Sequence, residues 1–265
     1  MAATYLDEIL AHHRARAQRD TREWRARVGV VTYVGPSLLE ALADRISPHV
    51  RVIAEVKRRS PSKGWLREEL DAPALVAQYV DGGASAVSIL TESAYFAGTA
   101  DDLRAVAAST SVPVLRKDFT VSANDVLDAA SLGASAVLLI VAALSDEELT
   151  SYIALAHDCG MDALVEVHDR DEATRALDSG ARIIGVNQRN LRTFEIERAS
   201  AEDVIDELPS AVVSVCESGL ASVEDVASVA ALGFDAVLVG ETFVVSSNVV
   251  ETVRAFASVP WAAHD

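Results

Sequence analysis

The chain has 265 residues, half of them apolar, which is enough to bury the core of one large α/β domain. A net charge of −17, from 40 acids against 23 bases, speaks against a nucleic-acid partner, which wants a basic face. Acids in the N-terminal MAATYLDEIL and a longest apolar run, 136–144, well short of the ~20 residues that span a bilayer predict neither a leader nor a membrane partner.

Two helical patterns come first, from Thr4 to about Trp24 and from Ser37 to about Ile46. A strand is expected next, near 51–57, inside the stretch VIAEVKRRSPSKG (52–64). Alternation on a strand puts Ile53, Glu55 and Lys57 on one face and Val52, Ala54 and Val56 on the other. The apolar set suits a layer of helices, so the charged pair turns to the opposite side. Lys57, Arg58, Arg59 and Lys63 then gather cations in one place. Such a run is either a plain solvated loop or a local offset to the acidic background, of the sort an anionic metabolite needs.

From there one phrase recurs: GASAVSI (83–89), GASAVLL (133–139), GMDALVE (160–166), GARIIGV (180–186) and GFDAVLV (233–239). Each glycine closes an alanine-rich amphipathic stretch, and a continuous β-branched run follows, as a strand covered on both faces requires. Further strands are expected near 86–91, 112–117, 136–141, 163–168, 182–187, 212–217 and 236–240. Ser122, Ser145, Asp169, Ser200 and Ser222 are predicted N-caps of the intervening helices. Strict alternation of this length predicts a closed (β/α)8 TIM barrel, with 1–265 as one domain and 1–48 as its N-terminal helical extension. An open doubly wound sheet is the rival, but no glycine-rich nucleotide motif supports it. Cys159 and Cys216 lack CxxC spacing, which fits a reduced, cytoplasmic setting.

The polar residues on these strands come late. Lys117 and Phe119 share a face with Leu115, Glu166 and His168 with Leu164, and Asn187 and Arg189 with Gly185; Glu217, Ser218 and Gly219 end the seventh strand. Such ends form the mouth where barrel enzymes place their chemistry. Each could pair structurally, but so many charges on one rim are costly to bury for packing alone. Crowded lysines and glutamates shift one another's protonation and make usable acids and bases. Gly219, Gly240 and Glu241, after the last two strands, together with Arg59 and Ser60, predict a phosphate seat. His168 either supports Glu166 from behind or is a rim residue, and the rim is favoured; His12, His13, His49, His157 and His264 lack metal-ligand spacing and are expected at the surface, so no metal site is expected.

The segments Glu55–Gly64 (E-x-K-x-x-S-P-S-x-G), LTESAYFAG (90–98), VLRKDF (114–119), VLLIV (137–141), LVEVH (164–168), GVNQRNL (185–191) and ESG (217–219) resemble, in order, those of indole-3-glycerol-phosphate synthases. That resemblance implies ring closure, decarboxylation and dehydration of 1-(2-carboxyphenylamino)-1-deoxyribulose 5-phosphate. No cofactor would be needed. Lys117 would be the general acid of closure, Lys57 the acid of dehydration and a contact for the carboxylate, Glu166 the main base and Glu55 its supporting carboxylate. Asn187 and Arg189 would hold carboxylate and hydroxyls, beside Glu217 and Ser218. Ser60, Gly219 and Gly240 would seat the phosphate, and Phe96, Phe119 and Leu138 would wall the aromatic ring. The extension would help cover the mouth. Departures are the extra-basic Arg58–Arg59, Cys216 in an alanine position, and Glu241. The rivals are a sister phosphate-binding barrel such as phosphoribosylanthranilate isomerase, which would want a cysteine–aspartate pair, and an idle binding barrel, which would have lost Lys57, Lys117 or Glu166. The expected partner is a small phosphorylated substrate, on a monomer or weak homo-oligomer.

Overall fold

A computed structural model describes residues 5–44, 46–61, 63–190 and 195–261; Thr4, Ser62, Leu191 and His264 lie outside it. Eight parallel strands close on themselves in the order β1-β10-β9-β8-β7-β6-β5-β4. They are β1 (Arg51–Val56), β4 (Ala86–Leu90), β5 (Val114–Lys117), β6 (Ala136–Ile140), β7 (Asp162–Val167), β8 (Ile183–Asn187), β9 (Val213–Glu217) and β10 (Ala236–Val239). Closure is made by β1, which pairs with β4 on one side and β10 on the other. The expected strands and the barrel are therefore observed.

A small antiparallel pair, β2 (Arg59–Ser60) with β3 (Gly64–Trp65), was not foreseen; it folds the basic loop back on itself. The crossovers carry α3 (Ala72–Asp81), α4 (Ala100–Ala107), α5 (Ala123–Ser131), α6 (Asp146–Asp158), α7 (Arg170–Asp178), α8 (Arg198–Ile205) and α9 (Val223–Ala231). After β10 come α10 (Glu241–Val244) and α11 (Val249–Ala257). The closing glycines 83, 133, 160, 180 and 233 all have φ between 76° and 97°, the left-handed value a C′ residue needs.

Ser122, Ser145, Asp169 and Ser222 cap α5, α6, α7 and α9 as expected. Ser200 does not cap α8. An antiparallel bridge between Arg189 and Ile196, and a bond from Glu197 N–H to the Gln188 carbonyl, fix the chain earlier, so α8 starts at Arg198 and the Ser200 hydroxyl turns back to the Glu197 carbonyl.

Alternation divides the core in two. Val52, Ala54 and Val56 join the layer between strands and helices, while Ile53, Leu115, Leu164 and Val215 fill the interior. The two helices of the N-terminal segment do different jobs. The first, α1 (Tyr5–Arg19), stops short of the expected Trp24 because Asp20 turns back to bond the Arg22 N–H and guanidinium. It lies over the C-terminal rim: Arg14 donates to the carbonyls of Val121 and Ala143, each at 2.9 Å. The second, α2 (Leu38–Ala43), is capped by Ser37 and plugs the other end of the barrel, where Leu38 and Leu42 join the interior cluster. Burying each of those leucines contributes roughly 2 kcal/mol. Of these two helices it is α1 that lies over the mouth, while α2 sits at the other end, so the expected cover comes from the first helix and not from both. Among the described residues no helix is long and apolar enough to cross a membrane.

Candidate active site

Because side chains alternate, the late inward positions of β1, β5, β7, β8 and β9 converge on a cavity of about 420 Å³ at the C-terminal end. Its floor holds Glu55, Lys57, Lys117, Glu166, Asn187 and Glu217. The Lys117 Nζ sits 3.3 Å from Glu166 Oε2 and 3.4 Å from Glu217 Oε2. Lys57 Nζ donates to Glu55 Oε1 at 2.7 Å. Asn187 Nδ2 donates to the other oxygen of Glu166, Oε1, at 3.1 Å. The three glutamates are almost sealed from solvent, exposing 4%, 1% and 2% of their surfaces for Glu55, Glu166 and Glu217.

Two glycines make room for this. A Cβ on Gly185 would collide with Glu217 Oε1, and one on Gly240 would stand 2.5 Å from Glu55 Oε1. Gly240 thus supports a carboxylate as well as lining the expected phosphate corner.

Three buried carboxylates against two ammonium groups cannot all be comfortable. Burial works against the charge of Lys117, but Glu217, Glu166 and Glu55 outweigh it and hold the lysine protonated, above its usual range. Burial also works against Glu166 as an anion; Lys117, His168 and the Asn187 bond overcome that and hold it below the ordinary glutamate value. Glu217 goes the other way. Burial raises it, Glu166 and Glu55 add to the rise, and Lys117 compensates only in part. Its Oε1 is buried without a hydrogen-bond partner. Two carboxylates beside one lysine are driven apart, the pattern that separates an acid from a base.

The upper wall is apolar. Phe96 and Phe119 lie with centroids 6.4 Å apart, and Leu138, Leu90, Ile140, Ile196 and Leu238 complete it. Glu92 clamps the loop that carries Phe96 by accepting the N–H groups of Ala94, Tyr95 and Phe96 at 3.0, 2.7 and 3.1 Å. From α1, His13 packs its ring 5.5 Å from that of Phe119 and brings Nε2 to 3.6 Å from Glu92.

The opposite corner holds Ser60, Lys63, Ser218, Gly219, Gly240, Glu241 and Thr242. Ser218 and Gly219 both have positive φ, 67° and 73°, so the turn after β9 presents its backbone sharply. Lys63 is paired with Glu241 across the rim.

Most of the expected residues therefore come together: Glu55, Lys57, Ser60, Phe96, Lys117, Phe119, Leu138, Glu166, Asn187, Arg189, Glu217, Ser218, Gly219, Gly240 and Glu241 all line the one cavity. Arg59 does not. It is exposed, its guanidinium 6.0 Å from the Trp65 ring centroid, because the β2–β3 pair turns it outward. Arg58 is also taken, by Asp102 and the Leu70 carbonyl, at 2.9 and 2.8 Å from its Nη2. Of the basic run only Lys57 and Lys63 reach the cavity. His168 is no mere rim residue, since its Nε2 lies 3.6 Å from Glu166 Oε1. Sequence reasoning had Lys63 within the cation cluster but missed Thr242, His13 and Glu92 as lining or supporting residues. His13 gave no signal, because its partners come from distant loops. Among the described residues no group of three or more His, Cys, Asp or Glu is placed to hold a metal ion.

Comparison with known proteins gives the family and the fold. The sequence model of the family described as indole-3-glycerol phosphate synthase matches residues 6–256. A protein of that name from Beutenbergia cavernae is 53% identical over 199 residues, covering 75% of this chain and 74% of the relative. One from Kineococcus radiotolerans is 47% identical over 248 residues, covering 91% and 90%. Among solved structures, 3-hexulose-6-phosphate synthase superposes with a TM-score of 0.62 at 15% identity, over 80% of this chain and all of that one (100%). Thiamine phosphate pyrophosphorylase from Pyrococcus furiosus gives 0.60 at 14% identity, over 79% and 95%. At those identities the two structures show the shared barrel and nothing finer.

Proposed function

The chain belongs to the indole-3-glycerol phosphate synthase family, carboxy-lyases of tryptophan biosynthesis, and we propose how its cavity carries out the reaction. The phosphorylated substrate, 1-(2-carboxyphenylamino)-1-deoxyribulose 5-phosphate, lies with its aromatic ring against Phe96, Phe119 and Leu138 and its phosphate at Ser60, Gly219 and Gly240. Lys57, Asn187 and Arg189 hold its carboxylate and hydroxyls.

Lys117 donates a proton to the ketone oxygen while the ring carbon bearing the carboxylate attacks the ketone carbon. A cation beside an oxygen that gains negative charge stabilises that step most. The carbon–carboxylate bond then breaks, CO2 leaves, and the electron pair restores the aromatic ring. In the last step Lys57 protonates the departing hydroxyl, which leaves as water, and Glu166 takes a proton from the neighbouring methylene carbon. Glu55 keeps Lys57 in place.

The observation that supports this most is Lys117 held between Glu166 and Glu217 at 3.3 and 3.4 Å on the floor of a half-apolar cavity. Lys117 favours the protonated form and Glu166 the ionised one, the states an acid and a base require. Fluorescence detection of indole-3-glycerol phosphate should show Lys117→Ala and Glu166→Gln each slowed on the order of 10²- to 10⁴-fold with the fold intact. Near-normal turnover in either variant would remove that residue from the mechanism. We also propose that 1–265 is one domain with 1–48 as its extension, and that the protein works in the cytoplasm as a monomer or weak homo-oligomer, which light scattering of the purified chain would test.

A further inference from the structure

Glu166 offers its two oxygens to different neighbours. Oε2 faces Lys117 at 3.3 Å, while Oε1 accepts from Asn187 at 3.1 Å and has His168 Nε2 3.6 Å away. That Nε2 is buried and has no hydrogen-bond partner. The opposite ring nitrogen, Nδ1, lies 3.0 Å from Glu172 Oε2, and the same oxygen accepts the His168 backbone N–H at 2.9 Å. Glu172 stands in the first turn of α7, whose N-cap is Asp169, so its carboxylate is fixed by the helix start.

A carboxylate only accepts, so the proton of the imidazole sits on Nδ1. A neutral ring would then aim a lone pair at Glu166 Oε1, and a protonated ring an N–H; two flanking carboxylates favour the second. We propose that His168, fixed by Glu172, is a positioning residue for Glu166: it holds Oε1 from the side away from Lys117, so that Oε2, beside Lys117, is the oxygen turned to the substrate proton, and keeps the carboxylate ionised. This rests on the reading of Glu166 as the base.

The surroundings are consistent. Burial opposes a charged His168, but the bond to Glu172 and the carboxylates of Glu166, Glu172 and Glu217 outweigh it and favour the imidazolium. The groups facing this pair are Lys117 on β5, Asn187 on β8, Glu217 on β9 and Glu172 on α7, with Glu55 of β1 acting through Lys117 and Glu217. On the β6 side the partner of Glu166 is Ile140, which is apolar. Arg175 of α7 turns away to Asp146 and to the carbonyls of Val141 and Leu144.

A cation beside a carboxylate holds its proton affinity down, so the base stays active to lower pH. Removing the imidazolium must move the acid limb of the rate profile to higher pH. The variant His168→Asn can keep the amide donor to Glu172 but has nothing at the Nε2 position; His168→Gln can put an amide near Glu166 without a charge. In His168→Asn we expect kcat to fall about tenfold near pH 5 and to approach the unmodified enzyme near pH 8, with KM changed less than about twofold. Partial recovery is expected in His168→Gln, and a smaller shift of the same sign in Glu172→Gln. A folded His168→Asn with an unmoved acid limb and unchanged kcat would overturn the proposal. Should that variant not fold, a folded Glu172→Gln with an unmoved limb would do so. Glu166→Gln, run alongside, separates the two claims. If it is inactive while His168→Asn behaves normally, only this inference fails; if it is active, the assignment of the base fails.

Discussion

At the scale of single residues, Glu166 and Glu217 show how one lysine can serve two carboxylates unequally. Both are buried beside Lys117, but Glu166 also receives Asn187 and faces His168, whereas Glu217 keeps an oxygen without a partner. The period of two along a strand was enough to point Glu55, Lys57, Lys117, Glu166 and Asn187 inward from the sequence. It could not show the difference between the two glutamates, which depends on what adjacent strands leave open. Gly185 is the case in point: it pairs in register with Glu166 on one side and Val215 on the other, and its missing Cβ is the space the Glu217 carboxyl occupies. Gly185→Ala should therefore displace Glu217 from Lys117. We expect a loss of about 1–3 kcal/mol in stability and a drop in kcat larger than any rise in KM. Steady-state kinetics with thermal unfolding checks this; unchanged values of both would mean that the pocket relaxes and that Glu217 is not held there by the glycine. Arg59 was misplaced for the opposite reason. Its charge was legible, but its direction is set by the β2–β3 pair and by Trp65, which pattern alone does not reveal.

At the scale of elements, helix beginnings were legible wherever one side chain both caps and starts the helix, as at Ser122, Ser145, Asp169 and Ser222. Ser200 failed because tertiary pairing of 189 with 196 sets the start of α8. The placement of α1 and α2 was not legible, since both are amphipathic segments with no partner nearby in sequence. Arg14 explains where α1 goes: it bonds the carbonyls of Val121 and Ala143 and reaches both oxygens of Glu148 at 2.6 and 2.8 Å. That seat puts His13 against Phe119 and Glu92, so α1 helps shape the aromatic wall. Arg14→Ala removes the donor to the Ala143 carbonyl and one donor each from the Val121 carbonyl and Glu148, which keep Tyr152 Oη and the Ser145 N–H, and should free α1 by about 1–2 kcal/mol. Amide exchange over residues 8–19 should quicken severalfold, and KM should rise more than kcat falls. Unchanged protection in that segment would show that α1 is held by something other than Arg14.

At the scale of the whole molecule, barrel closure turns a scattered set of positions into one site. Lys117, Glu166 and Glu217 belong to three different strands and Lys57 directly follows a fourth, and closure of β1 onto β10 and β4 brings them to one cavity. The repeating helix–glycine–strand phrase made the closed barrel readable, because the hydrophobic pattern of a strand covered on both faces has few other uses. In a chain of charge −17, Lys57, Lys63, Lys117 and Arg189 give an anionic substrate cations to meet, beside the carboxylates of Glu55, Asp118, Glu166, Glu217 and Glu241 in the same lining. The most direct test is a crystal structure with indole-3-glycerol phosphate bound. The indole ring should lie against Phe96 and Phe119, with Lys117 and Glu166 both touching the fused ring system and the phosphate at Ser60, Gly219 and Gly240. A product bound with its phosphate at the Lys117–Glu166 end, or outside this cavity, would contradict the account.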